Sequence, residues 1–93
     1  MDELYLYARA GCHLCDETRT VLVQLLADRE AADLASPTLV ERDIDINEDW
    51  QRAFMTTIPV IELAGRRLEL AASPARIRRL LADVLDVSAA ARG

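Results

Sequence analysis

The apolar pattern of the chain changes period between Tyr7 and Leu14, and a Cys-x-x-Cys pair sits on the change. Leu4-Tyr5-Leu6-Tyr7 is apolar on both faces and reads as a short central strand. Arg9-Ala10-Gly11 follows as a loop, with Gly11 its flexible point. From there Leu14, Thr18, Val21, Leu22, Leu25 and Leu26 recur at helical spacing and make one face. Asp16 and Glu17 in the opening turn suit the positive end of the helix dipole. The spacing predicts a helix to about Asp28, fraying towards Leu34, with Ser36-Pro37 barring any continuation. Cys12 and Cys15 therefore lie where a helix opens after a strand.

The rest of the chain supplies partners for that unit. Thr38 to Ile44 reads as a second strand, with Leu39-Val40 and Ile44-Ile46 as its apolar content. Asn47 is an N-cap for a short helix that buries Trp50, Ala53 and Phe54. Val60-Ile61-Glu62-Leu63 and Arg67-Leu68-Glu69-Leu70 read as two strands joined by a turn at Ala64-Gly65. Ser73-Pro74 starts the last helix with a capping hydroxyl and a first-position proline; its apolar face is Ile77, Leu80, Leu81, Val84 and Leu85. The order β-α-β-α-β-β-α predicts an α/β fold: a four-stranded mixed sheet with helices on both faces. The first two strands are parallel through a right-handed crossover and the last two form an antiparallel hairpin. With 93 residues this is one domain, assigned to residues 1–87, followed by a flexible tail at 88–93.

Charge narrows the classes of partner. The formal net charge is −5, and all eleven Lys and Arg positions are arginine. No basic stripe exists to meet phosphates, so neither nucleic acid nor an anionic membrane is an expected partner. No apolar run approaches the ~20 residues that a bilayer requires. The acidic Met1-Asp2-Glu3 start lacks the basic segment of a secretory signal, so the expected setting is the cytoplasm; the chain is separately expected to be a monomer.

The chemistry rests on Cys12 and Cys15. A disulfide closing so short a loop does little to constrain the unfolded chain, and in a reducing compartment such a pair is catalytic or metal-binding rather than structural. Only thiolate attacks a disulfide. A cysteine at a helix N-terminus meets unpaired N–H groups and the positive dipole end, which lowers its pKa. Asp16 and Glu17 oppose this, so the expected shift is moderate. Cys15, one turn on, can attack a mixed disulfide on Cys12 and release the substrate. Cys12 is thus the attacking thiolate and Cys15 the resolving thiol. His13 either favours the thiolate when protonated or fills an exposed position. Arg9 either steers an anionic substrate or is a solvated surface residue. A zinc or iron–sulfur site needs more ligands than Cys12, Cys15 and His13, so no metal residue is assigned.

Three segments together resemble the glutaredoxin-like branch of the thioredoxin superfamily: Tyr7-Ala8-Arg9-Ala10-Gly11-Cys12-His13-Leu14-Cys15, Asp43-Ile44-Asp45 and Thr57-Ile58-Pro59-Val60. The nearest match is to its small members with a Cys-x-Leu-Cys-Asp motif. The resemblance covers nearly the whole chain and implies the thioredoxin fold. It also implies a cis Pro59 set against the cysteines and an Ile58 backbone that pairs with an extended substrate. By the same resemblance the activity is thiol–disulfide exchange on protein or glutathione disulfides, with no bound cofactor and with glutathione as a candidate reductant. Arg9, His13, Ile58 and Pro59 are then the substrate-contacting residues. The chain departs from glutaredoxins in two places. His13-Leu14 stands where proline and an aromatic are usual, and Ala71-Ala72-Ser73-Pro74 replaces the Gly-Gly-x-Asp stretch that holds glutathione's charged end. Arg52 is a further cation that glutathione could use. Gly11 replaces the tryptophan of thioredoxins, and Trp50 reads as a packing residue. Two alternatives from other classes are a non-enzymatic peptide-binding adaptor and a metal or iron–sulfur carrier.

Overall fold

The structure, a computed structural model, describes residues 2–86. The expected tail at 88–93 lies outside the described residues. Strand β1 spans Glu3–Ala8, helix α1 His13–Ala31 and strand β2 Thr38–Asp43. A 3₁₀ turn over Ile44–Ile46 leads into helix α2, Glu48–Phe54. Strands β3 (Val60–Leu63) and β4 (Arg66–Leu68) and helix α3 (Pro74–Leu85) complete the order. The sheet runs β2-β1-β3-β4, with β1 parallel to β2 and antiparallel to β3, and β3 antiparallel to β4. This is the thioredoxin fold expected from the sequence, with β1 central.

Alternation along β1 divides the interior into two layers. Leu4, Leu6 and Ala8 face the α1/α3 side and join Leu22, Leu25, Leu26, Ile77, Leu80 and Leu81. Tyr7 faces the other way and packs with Ile44, Phe54 and Val60 under α2, with Tyr5 and Trp50 against them. Trp50 meets Tyr7 edge-on with ring centroids 5.8 Å apart, so it is a packing residue. The Arg42 guanidinium lies 3.9 Å from the Tyr5 ring centroid and donates to the Tyr7 hydroxyl at 2.8 Å, closing this aromatic layer at the sheet edge.

Caps fix the ends of the helices. Asn47 accepts from the Trp50 N–H at 3.0 Å, and Ser73 caps α3 with Pro74 in its first turn. Helix α1 ends at Ala31, within the predicted fraying stretch between Asp28 and Leu34, and a local closure stops it ahead of Ser36-Pro37. Asp33 takes a left-handed φ of 60°, its N–H meets the Glu30 carbonyl at 3.1 Å, and the Leu34 N–H meets the Arg29 carbonyl at 2.9 Å. That pair of bonds is a Schellman closure with aspartate in the position glycine usually takes. The β3–β4 turn uses left-handed Ala64 (φ 51°) and Gly65 (φ 81°), as a two-residue hairpin turn requires.

Several apolar positions differ from expectation. Leu14 is 46% exposed because Cys15, fully buried, takes the first place on the α1 stripe and leaves Leu14 at its margin. Ile46 is 78% exposed. A 3₁₀ turn sets residues two apart on different sides, so burying Ile44 turns Ile46 outward. Ala53 is exposed, while Trp50 and Phe54 supply the inner face of α2. Strand β4 ends at Leu68 rather than Leu70. Leu70 adopts a φ of 49°, and its N–H leaves the ladder for the Thr57 carbonyl at 2.9 Å.

Candidate functional site

Gly11, with a φ of 80° and no atom within 4 Å of a Cβ built on it, turns the chain from β1 into α1. The turn is closed by the Cys12 N–H on the Arg9 carbonyl at 3.3 Å. Cys12 is itself the N-cap of α1, in an extended conformation. Its Sγ accepts the Cys15 N–H at 3.1 Å, while its carbonyl accepts the Asp16 N–H at 3.1 Å. A sulfur thus occupies the place where serine or aspartate oxygen is usual, against the open donors of the first turn.

Cys12 and Cys15 are joined as a disulfide, with Cα atoms 5.2 Å apart. Burial separates them. Cys15 is fully buried, whereas Cys12 is half-buried and packs against the same core cluster as Ile58. The Asp16 carboxylate, expected to oppose a thiolate, is paired with Arg19 at 2.7 Å, which mutes its charge.

The Ile58–Pro59 peptide is cis and Pro59 is fully buried. Ile58 borders both core layers. Its N–H is given to the Phe54 carbonyl at 3.0 Å. The Pro59 carbonyl accepts the Ala71 N–H at 2.8 Å, and the Ala71 carbonyl accepts the Thr18 hydroxyl at 2.7 Å. Ala71 therefore ties the proline loop to α1, one turn behind Cys15. Thr18 is 1% exposed, so removing its hydroxyl leaves a buried carbonyl without a partner. Thr18→Val is expected to lower stability by roughly 1–3 kcal/mol in a urea titration, despite its similar volume and greater hydrophobicity. A change near zero would show that water replaces the bond.

The other expected contact residues are placed differently. His13 is exposed on the first turn of α1. Arg9 is turned onto Asp45: its Nη2 lies 2.5 Å from Oδ1 and its Nε 3.3 Å from Oδ2. That hydrogen bond holds the Asp45 carboxyl below its usual range and raises Arg9. Arg52 pairs with Asp49 at 2.5 Å on the surface of α2.

Sequence reasoning missed Thr18 and Asp45. The hydroxyl of Thr18 within an otherwise apolar stripe was the available signal for the first. Asp45 was visible as part of Asp43-Ile44-Asp45, but no local pattern links it to Arg9, 36 positions away. Among the described residues, no group of three or more His, Cys, Asp or Glu side chains could hold a metal ion, and no helix is long and apolar enough to cross a membrane.

Comparisons with known proteins agree with this geometry. No curated protein sequence matches the chain. Among solved structures, the X-ray structure of the structural-genomics target XcR50 from X. campestris is 28% identical, covers 87% of this chain and 97% of its own, and superposes with a TM-score of 0.70. The solution structure of Ne2328 from Nitrosomonas europaea is 26% identical over 85% of this chain and 89% of its own, with a TM-score of 0.66. Oxidized mitochondrial thioredoxin 3 from Saccharomyces cerevisiae shares the fold at 17% identity, over 89% of this chain and 78% of its own, with a TM-score of 0.65. The model of the family described as Glutaredoxin-like domain (DUF836) matches residues 3–85. A Cys-x-x-Cys disulfide on this fold supports a redox-type function, and the chain belongs to the glutaredoxin-like domain family.

Proposed function

We propose that this chain is a thiol–disulfide oxidoreductase, with Cys12 as the attacking thiolate and Cys15 as the resolving thiol. The observation that carries the reading is the Cys15 N–H held on the Cys12 sulfur at the opening of α1, with Cys15 fully buried behind it. In the reduced protein the same N–H and the helix dipole favour a negative sulfur at position 12. That thiolate attacks a substrate disulfide, forms a mixed disulfide and expels the first substrate thiolate, which takes up a proton. Cys15 then gives up its proton and attacks the Cys12 sulfur. The second substrate thiol leaves, and the Cys12–Cys15 disulfide forms. The substrate gains two electrons and the protein loses two; an external thiol, glutathione or a protein reductase, returns them.

A substrate held in extended form would lie against Ile58 and Pro59 and pair through the Ile58 carbonyl, since the Ile58 N–H is already engaged. His13 would sit at the rim of such a contact. The proposal includes a cytoplasmic setting, protein or glutathione disulfides as substrates, no bound cofactor and a monomeric chain. Alkylation of the reduced protein tests it. Cys12 is expected to react with iodoacetamide well below pH 8 and faster than Cys15, followed by mass spectrometry across a pH series. Equal, slow labelling of both would remove the reading and leave a peptide-binding adaptor as the better one.

A further inference from the structure

Arg9 precedes Cys12 by three residues and closes the turn that presents it. It is the arginine nearest to Cys12 in the sequence, and its planar guanidinium fork matches a carboxylate. In the folded chain one edge of that fork is already taken. Both contacting nitrogens, Nη2 and Nε, bind the Asp45 carboxylate. Asp45 is fixed in turn: Gln51 donates to its Oδ1 at 3.3 Å, and its N–H is held by the Asp43 carboxylate at 2.9 Å. Neighbouring cations are also committed. Arg19 lies between Asp16 and Glu41, Arg52 is on Asp49, and the sequence contains no lysine.

We propose that Asp45 is a specificity-determining residue: by occupying the Nε–Nη2 edge of Arg9 it turns the site against small anionic disulfides of the glutathione class and towards protein disulfides. The inference rests on the thiol–disulfide reading above. A protein substrate is held by its extended backbone along Ile58-Pro59 and needs no carboxylate receptor. A tripeptide disulfide carries several carboxylates, meets an Arg9 whose Nε–Nη2 edge is occupied, and approaches a chain of net charge −5.

The test compares oxidation rates of the reduced protein by glutathione disulfide and by the uncharged bis(2-hydroxyethyl) disulfide. Their ratio cancels any general change in Cys12 reactivity. Asp45→Asn, and Asp45→Ser as a second variant, are expected to raise the ratio of anionic to uncharged rate by roughly three- to tenfold. Glu48→Gln removes the same charge from the α2 surface without releasing an arginine and is expected to raise it by less than about twofold. Adding Arg9→Gln to Asp45→Asn should return the ratio to within about twofold of the native chain. Two results would overturn the inference: no rise in either Asp45 variant, or a double variant falling well below the native ratio, which would mean that Arg9 serves glutathione with Asp45 in place. A native protein inert towards both disulfides would overturn the oxidoreductase reading and this one with it.

Discussion

Protein carrying Cys15→Ser is expected to accumulate in cells as a covalent adduct through Cys12, released by dithiothreitol. The chain has two cysteines, so any adduct of this variant must be at Cys12. In the native chain the proposed mixed disulfide would be short-lived, because Cys15 is tethered one turn away with a Cα–Cα distance of 5.2 Å. Tethering of a correctly oriented nucleophile is equivalent to a very high local concentration. Without it, resolution depends on millimolar external thiol and should slow by about 10³-fold or more. Non-reducing electrophoresis and mass spectrometry of the trapped species read the result and identify the partner. With the Nε–Nη2 edge of Arg9 held by Asp45, protein adducts should outnumber glutathione adducts. Cys12→Ser should form no adduct, because the remaining Cys15 is fully buried. If Cys15→Ser trapped nothing while the native chain exchanged disulfides, the division of roles would be wrong.

The second large effect concerns stability. Leu22→Ala is expected to cost roughly 2–5 kcal/mol in urea or thermal unfolding, while Leu14→Ala should change stability by no more than about 0.5 kcal/mol. Both leucines lie on the apolar face drawn from the helical spacing. Leu22 is fully buried between α1, the sheet and α3, and its truncation leaves a cavity. Leu14 is 46% exposed and has solvent to replace what it loses. A domain of this size has only about 5–15 kcal/mol of net stability, so the Leu22 variant should be visibly less cooperative or largely unfolded at moderate urea. Equal losses at the two positions would mean that the opening turn of α1 packs more tightly than described.

The contrast between these leucines shows what could be read without coordinates. Periodicity and capping residues assigned the type and order of the four strands and three α-helices, because burying one face of each leaves a period in the sequence; the 3₁₀ turn at Ile44–Ile46 reads as part of the second strand. It could not show which residue opens the stripe, since Leu14 and Cys15 are adjacent and both are apolar. The β-hairpin was legible from Ala64-Gly65. The early end of β4 was not, because nothing about Leu70 marks a left-handed backbone. Cys12, Cys15 and the cis Pro59 were legible through their placement and family resemblance. The ties that hold them in place were not. Thr18 reaches Ala71 across 53 positions, and Arg9 reaches Asp45 across 36. Contacts at that range are set by the packing of layers, and no local pattern encodes them.

A sulfur that caps a helix links the folding of that helix to the protein's electron balance. The cap bond is stronger to an anionic sulfur than to a neutral one, so the opening of α1 is better secured when electrons are present. Around a closed thermodynamic cycle, that preference favours surrender of the disulfide. Loosening the start of α1, by mutation or by a ligand, would then make the protein a weaker oxidant without touching either cysteine.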